Sequence, residues 1–233
     1  QGSLQLEIIA ASREFSRLPY VIAPKLVDLL EEVRAGHLVL VLQNIGLAIY
    51  PVWHYAVVSG FDLSRQELIL QSGRHQDYHM PIRQFERTWA RGAHWGLVVT
   101  AADDIPASAL AVPYLQALTK HGASFNASIM RRALETAIHR WPEHAETKMA
   151  LANFLYQQLE FAAATYWLQQ ILLTQPQYAP ALNNLAQIYY DMGHWQLALE
   201  KAEAAVSFGG KHQPVYLETR AMILQKIKSL PKF

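Results

Sequence analysis

By residue type, the side chains best suited to chemistry are ten histidines, because the sequence contains no cysteine. Disulfides, thiolate zinc sites and thiol catalysis are therefore excluded within these residues. The histidines are scattered rather than clustered in a tract. His75, His79 and His94 are the nearest approach to a metal cluster, and their spacing matches no strict ligand pattern, so they read as solvated loop histidines. His54 lies in the apolar run Trp53–Ser59 (WHYAVVS), where on its own it reads as a satisfied histidine within a sheet. Trp53, Trp89 and Trp95 read as core or cleft-wall aromatics. Nothing in these patterns calls for a metal or a cofactor.

The elements that would carry these residues have two textures. Residues 1–102 mix short apolar runs with turns. Leu4 to Phe15 and Pro24 to Ala35 have helical spacing, and Gly36 suits a C-cap for the second. His37 to Leu42 (HLVLVL) is an apolar run of strand length, of the kind buried on both faces. Further strands are predicted at Trp53–Ser59, Glu67–Gln71, Tyr78–Ile82 and Trp95–Thr100. Asp62-Leu63-Ser64-Arg65 reads as a hairpin connection and Phe85–Arg91 as a short helix. The sum is an α+β domain with an antiparallel sheet. Ala101 to Pro106 (AADDIP) reads as a linker, and residues 109–233 are rich in Ala and Leu at helical spacing.

With 233 residues, 52% hydrophobic and 17% charged, the chain can bury cores of ordinary size. A formal net charge of +1 gives no electrostatic case for nucleic acid or an anionic membrane. No segment reaches the about 18 apolar residues of a membrane span. The sequence opens on Gln1-Gly2-Ser3, without Met or a charged-then-apolar leader, so a processed form or a fragment of a longer chain is expected.

In the second half a period of 34 residues separates Pro142 from Pro176, Ala152 from Ala186, and Ala164 from Ala198. Antiparallel helices approach closely only where small residues face each other, and Pro is tolerated at helix starts and ends. Ala181 to Leu199, with its small residue, its Tyr three positions on, its Gly193 turn and Ala198, resembles the tetratricopeptide repeat. A second copy runs from about Ala145 to Pro176 and a degenerate one from Ala109 to Pro142, with Pro214–Lys228 as a last helix. The resemblance implies an all-α solenoid over residues 109–233 with a groove for a protein or peptide partner. Asn183 and Asn184 are candidates to bond an extended peptide backbone, or else helix N-terminal contacts. A Lys-rich clamp for a terminal carboxylate is not apparent.

A second resemblance rests on Gly2-Ser3-Leu4, Asp28-Leu29-Leu30, Gly36–Leu42 (GHLVLVL) and, most specifically, His54–Asp62 (HYAVVSGFD). These stretches resemble the papain-like peptidase domain of bacteriocin-processing transporters, which cleaves after double-glycine leaders. The likeness covers residues 1 to about 100 and implies a partial papain-like fold. It implies that His54 is the general base for a cysteine nucleophile. The group that orients the imidazole would lie at the end of the strand Glu67–Gln71. There the family has Asp or Asn followed by Pro, and this sequence has Gln71-Ser72-Gly73. Gln71 or Ser72 would then accept the imidazole N–H. The family's Gln and Cys precede the Gly-Ser loop and so would fall ahead of Gln1. Either a parent protein supplies them, or the chain is a non-catalytic relative whose site has become a peptide-binding cleft. Loss of the nucleophile helix would bare apolar surface, so a homo-oligomer is expected. The pairing with helical repeats is similar to bacterial envelope-associated peptidase-like proteins, which implies a bacterial cell envelope or periplasmic location.

Overall fold

The computed structural model describes residues 5–47 and 49–230. The Gly2-Ser3-Leu4 stretch of the peptidase resemblance lies outside them. The chain divides into two compact units, Gln1–Ala137 and Ile138–Phe233.

The first unit contains α1 (Gln5–Glu14), β1 (Leu18–Val21), α2 (Leu26–Arg34), β2 (Val39–Asn44), β3 (Trp53–Asp62), β4 (Glu67–Ser72), β5 (His75–Pro81), α3 (Ile82–Arg91), β6 (Gly96–Thr100) and α4 (Ala111–His121). The strands form one antiparallel sheet in the order β1-β6-β2-β3-β4-β5. The expected α+β class with an antiparallel sheet is therefore what forms. The four-residue β1 is an addition: its run Leu18-Pro19-Tyr20-Val21 is short and contains a proline, which strand-pattern reasoning discounts.

The β2 run was expected to be buried on both faces. It instead alternates: Val39 and Val41 are fully buried while Leu40 and Leu42 are half-buried. The side of the sheet that carries Val39, Val41 and Gln43 is the well-covered one. There α3 packs against β2, β4 and β5 with Phe85 and Trp89, both fully buried and with ring centroids 5.5 Å apart. Spacing in α3 explains this: Phe85, Thr88 and Trp89 fall at i, i+3 and i+4, one face of the helix.

The segment read as a linker, and the two residues that follow it, are pinned in place. Glu32, fully buried on α2, accepts hydrogen bonds from Ala107 N (3.1 Å), Ser108 N (2.8 Å) and Ser108 Oγ (2.5 Å), and lies 2.6 Å from His37 Nδ1. Tyr114, fully buried on α4, donates its hydroxyl to Ala102 O at 2.5 Å. Burial pushes its hydroxyl far above the ordinary phenol range. These contacts group α4 with the sheet.

A helix α5 (Ala127–Arg140) runs across the boundary between the units. The second unit contains α6 (Ala145–Gln157), α7 (Phe161–Thr174), α8 (Ala179–Asp191), α9 (Trp195–Phe208) and α10 (Gln213–Lys228). The starts of α4, α6, α8 and α10 are spaced by 34 residues, as are those of α5, α7 and α9. Ala152, Ala164, Ala186 and Ala198 are all buried, the small residues that allow helices α6 with α7 and α8 with α9 to pack closely. Between α8 and α9 the chain turns through Gly193 at φ +77°, and between α6 and α7 through Leu159 at φ +62°. The C-terminal half is thus an all-helical solenoid of the tetratricopeptide type.

Candidate functional site

In the first unit the candidate site forms at the end of the sheet where β3 begins and β4 ends. Gln43 and His54 are directly paired across β2 and β3. His54 and Ser72 meet diagonally across β3 and β4, with His54 Nε2 and Ser72 Oγ sharing a hydrogen bond at 2.8 Å. Gln71 does not reach the imidazole. Successive strand residues point to opposite faces, so Gln71 projects away. Its amide donates to Asp77 Oδ1 (2.8 Å) and Ser59 Oγ (3.2 Å), and its oxygen accepts from Asp77 N (3.2 Å). Of the two residues the sequence offered as orienting group, the sheet brings Ser72 to His54.

This pair borders an open cavity of about 520 Å³ whose walls include Gln43, Ile45, Tyr78, Met80 and Gln84. The two-residue turn Gly73-Arg74 between β4 and β5 closes one side. Gln43 is buried and fixed by its amide, which donates to Thr88 Oγ1 at 2.6 Å. The arrangement can hold an imidazole against a hydroxyl with amides close by. Among the described residues that line the cavity there is no carboxylate. Elsewhere, His79 Nδ1 lies 3.0 Å from Glu67, and His94 packs edge-on against Trp89 at 4.9 Å. Among the described residues no three His, Asp or Glu side chains gather as a ligand set.

In the second unit a cavity of about 250 Å³ opens between α6 and α8. Ala152, Leu168 and Ile188 line its apolar part. Asn153, Tyr156, Gln157, Asn184 and Gln187 bring polar groups to it. Asn184 Nδ2 donates to Asn153 Oδ1 at 2.7 Å. Asp191 ties two walls together: its carboxylate accepts from Tyr156 OH (2.5 Å) and from Gln187 Nε2 (3.1 Å). Burial, with the Asp191 carboxylate beside it, pushes the Tyr156 hydroxyl up to about 12.

Of the two asparagines predicted for the groove, only Asn184 lines it. Asn183 is 9% exposed and its Oδ1 is buried without a hydrogen-bond partner among the described residues. Adjacent helical residues are about 100° apart, so one asparagine faces the groove and its neighbour faces the helix packing. Sequence reasoning missed Tyr156, Gln157, Gln187 and Asp191. A signal was present, since Gln187 stands 34 residues after Asn153 and so occupies the equivalent position of the next repeat.

No protein-family model matches the sequence, and no curated protein matches it. Among solved structures, the chain is similar to the first tetratricopeptide domain of Spaghetti (RPAP3) bound to an HSP90 peptide, at 12% identity and a TM-score of 0.44. That match covers 49% of this chain and 88% of the other. It is similar to the yeast Sti1 TPR2B domain in complex with an Hsp70 peptide at 17% identity and a TM-score of 0.44, over 50% of this chain and 94% of the other. The Sgt2 domain from Aspergillus fumigatus matches at 15% and 0.43, over 51% and 81%. The assignment of the repeats rests on this chain's own period and helical hairpins. Among the described residues no helix is long and apolar enough to cross a membrane.

Proposed function

We propose that the repeat unit binds an extended segment of a protein or peptide along the cavity between α6 and α8. One observation carries this reading: amide side chains from equivalent helices, Asn153, Asn184 and Gln187, stand over an apolar floor of Ala152, Leu168 and Ile188. Amides donate and accept at once, which suits a peptide backbone, and an apolar floor suits its side chains. Those lining residues carry no charge, so the reading favours backbone and apolar recognition over capture of a terminal carboxylate. Peptides selected from a displayed library on the chain provide the test. Asn184→Ala should weaken a selected peptide about tenfold with helicity unchanged. Equal affinity for the variant would place the binding surface elsewhere.

A second reading, favoured by the His54–Ser72 hydrogen bond, is a papain-like peptidase domain. In it His54 is the base and Ser72 the group that orients the imidazole. The 233 residues contain no thiol, so cleavage would need a cysteine from a longer parent polypeptide. Without one, the cavity would serve as a cleft that holds a peptide. Assaying the parent polypeptide with His54→Ala and Ser72→Ala separates these. Loss of cleavage in the first and partial loss in the second would support a peptidase, and no cleavage by the parent would leave binding alone.

A further inference from the structure

Asp191 gives the groove of the second unit a charge that its lining residues lack. It is the last residue of α8, one turn beyond Gln187, and it is exposed. Tyr156 OH on α6 donates to its Oδ2 and Gln187 Nε2 to its Oδ1. Two of the residues that line the cavity therefore hold the carboxylate at its edge. Both donors are neutral, and no ion pair among the described residues includes Asp191. The position also runs against the helix dipole, which favours cations at a C-terminus. The charge is thus fixed in direction, without a cation of its own, and open to a ligand.

The rest of the groove face does not neutralise it. Residues 34 apart occupy equivalent places on α6, α8 and α10, so Asn184 has Ala150 before it and Glu218 after it. Asp191 likewise has Gln157 before it and Gln225 after it. The face therefore carries two carboxylates, Asp191 and Glu218, both exposed. Its first cation, Lys228, stands ten residues past Glu218, about 15 Å along α10. Lys148 and Arg220 lie about 140–160° around their helices from Asn153 and Glu218, and Lys226 sits over the Trp195 ring at 5.5 Å. A segment bound across this face strips water from one side of Asp191. An acidic residue there is repelled, an apolar one leaves the lost water unreplaced, and a basic one compensates for it. Each carboxylate oxygen already accepts one hydrogen bond and keeps a further acceptor site, an arrangement that suits the two parallel N–H groups of a guanidinium.

We propose that the segment held between α6 and α8 carries an arginine or lysine that meets Asp191, beside an apolar residue on the floor of Ala152, Leu168 and Ile188. This rests on the peptide-binding reading above and adds the chemistry of the partner. The test takes a peptide selected from a displayed library on the chain. It is synthesised with its basic residue intact or replaced by a neutral counterpart, citrulline for arginine or norleucine for lysine. Fluorescence anisotropy measures both peptides against wild type, Asn184→Ala and Asp191→Asn, whose amide oxygen still accepts from Tyr156. On wild type the neutral peptide should bind about tenfold or more weakly, and the gap should narrow as salt is raised. On Asp191→Asn the two peptides should bind nearly alike. Selected peptides without a basic residue, or a gap unchanged in Asp191→Asn, overturn this proposal alone when Asn184→Ala still weakens binding. Selection of no peptide, or equal affinity for wild type and both variants, overturns the peptide-binding reading with it.

Discussion

Replacing Glu32 with Ala should destabilise the first unit by about 3 kcal/mol. The carboxylate is fully buried and accepts from Ala107 N, Ser108 N and Ser108 Oγ, with His37 Nδ1 at 2.6 Å. Each hydrogen bond to a charged group contributes roughly 1.5–3 kcal/mol, and donors left buried without partners cost more. Two features hold the total down. Ala107 and Ser108 are only half-buried, so their N–H groups regain water in the variant. Removing the carboxylate also removes the cost of burying it. Against a typical stability of about 5–15 kcal/mol the loss is large. Urea unfolding followed by fluorescence measures it as a lower midpoint at unchanged slope. Glu32→Gln keeps one acceptor for Ser108 and should lose about half as much. A cost below about 1 kcal/mol for Glu32→Ala, or an equal cost for both variants, would refute the view that this carboxylate pins residues 107–108.

Leu159 holds the left-handed turn that Gly193 makes in the next repeat, and it is 74% exposed. Leu159→Gly should therefore raise the stability of the second unit by up to about 1 kcal/mol in thermal unfolding, since strain falls and little packing is lost. Ala198→Leu should cost about 1–3 kcal/mol by overfilling the fully buried seam between α8 and α9, read from the same unfolding curve. Arg132 donates to Asp103 and holds its carboxyl below the usual range, against an opposing effect of burial. A depressed folded value means stability present above the unfolded value of about 3.9 and lost as pH falls through the folded one. Both side chains are a third or more exposed, so wild type should exceed Arg132→Ala by under about 1 kcal/mol near pH 6. That gap should close in urea titrations run below about pH 3.

The helices and strands were legible where the periodic signal was long. The 34-residue spacing of Ala152 with Ala186 and of Ala164 with Ala198 follows from the packing seams that bury all four residues. Strands β3, β4 and β6 were legible from β-rich runs. The short, proline-containing β1 was not, because its place is set by pairing with β6 rather than by local pattern. Residues 101–106 read as a linker because Asp and Pro dominate there. What orders the segment that follows is Glu32, some 75 residues earlier in the chain, which no local reading reaches. At the candidate sites, residue type was legible and orientation was not. Gln71 and Ser72, and again Asn183 and Asn184, are adjacent pairs of which one member faces the site. The choice depends on strand pleat and helix phase in the folded register.

The most direct test of peptide binding by the repeats is to map amide chemical shifts of the chain as a library-selected peptide is added. Binding in the proposed groove predicts the largest changes at Asn153, Tyr156, Asn184 and Gln187, and their suppression in Asn184→Ala. Changes confined to the turn around Gly73, or to the α9 and α10 surfaces, would contradict it.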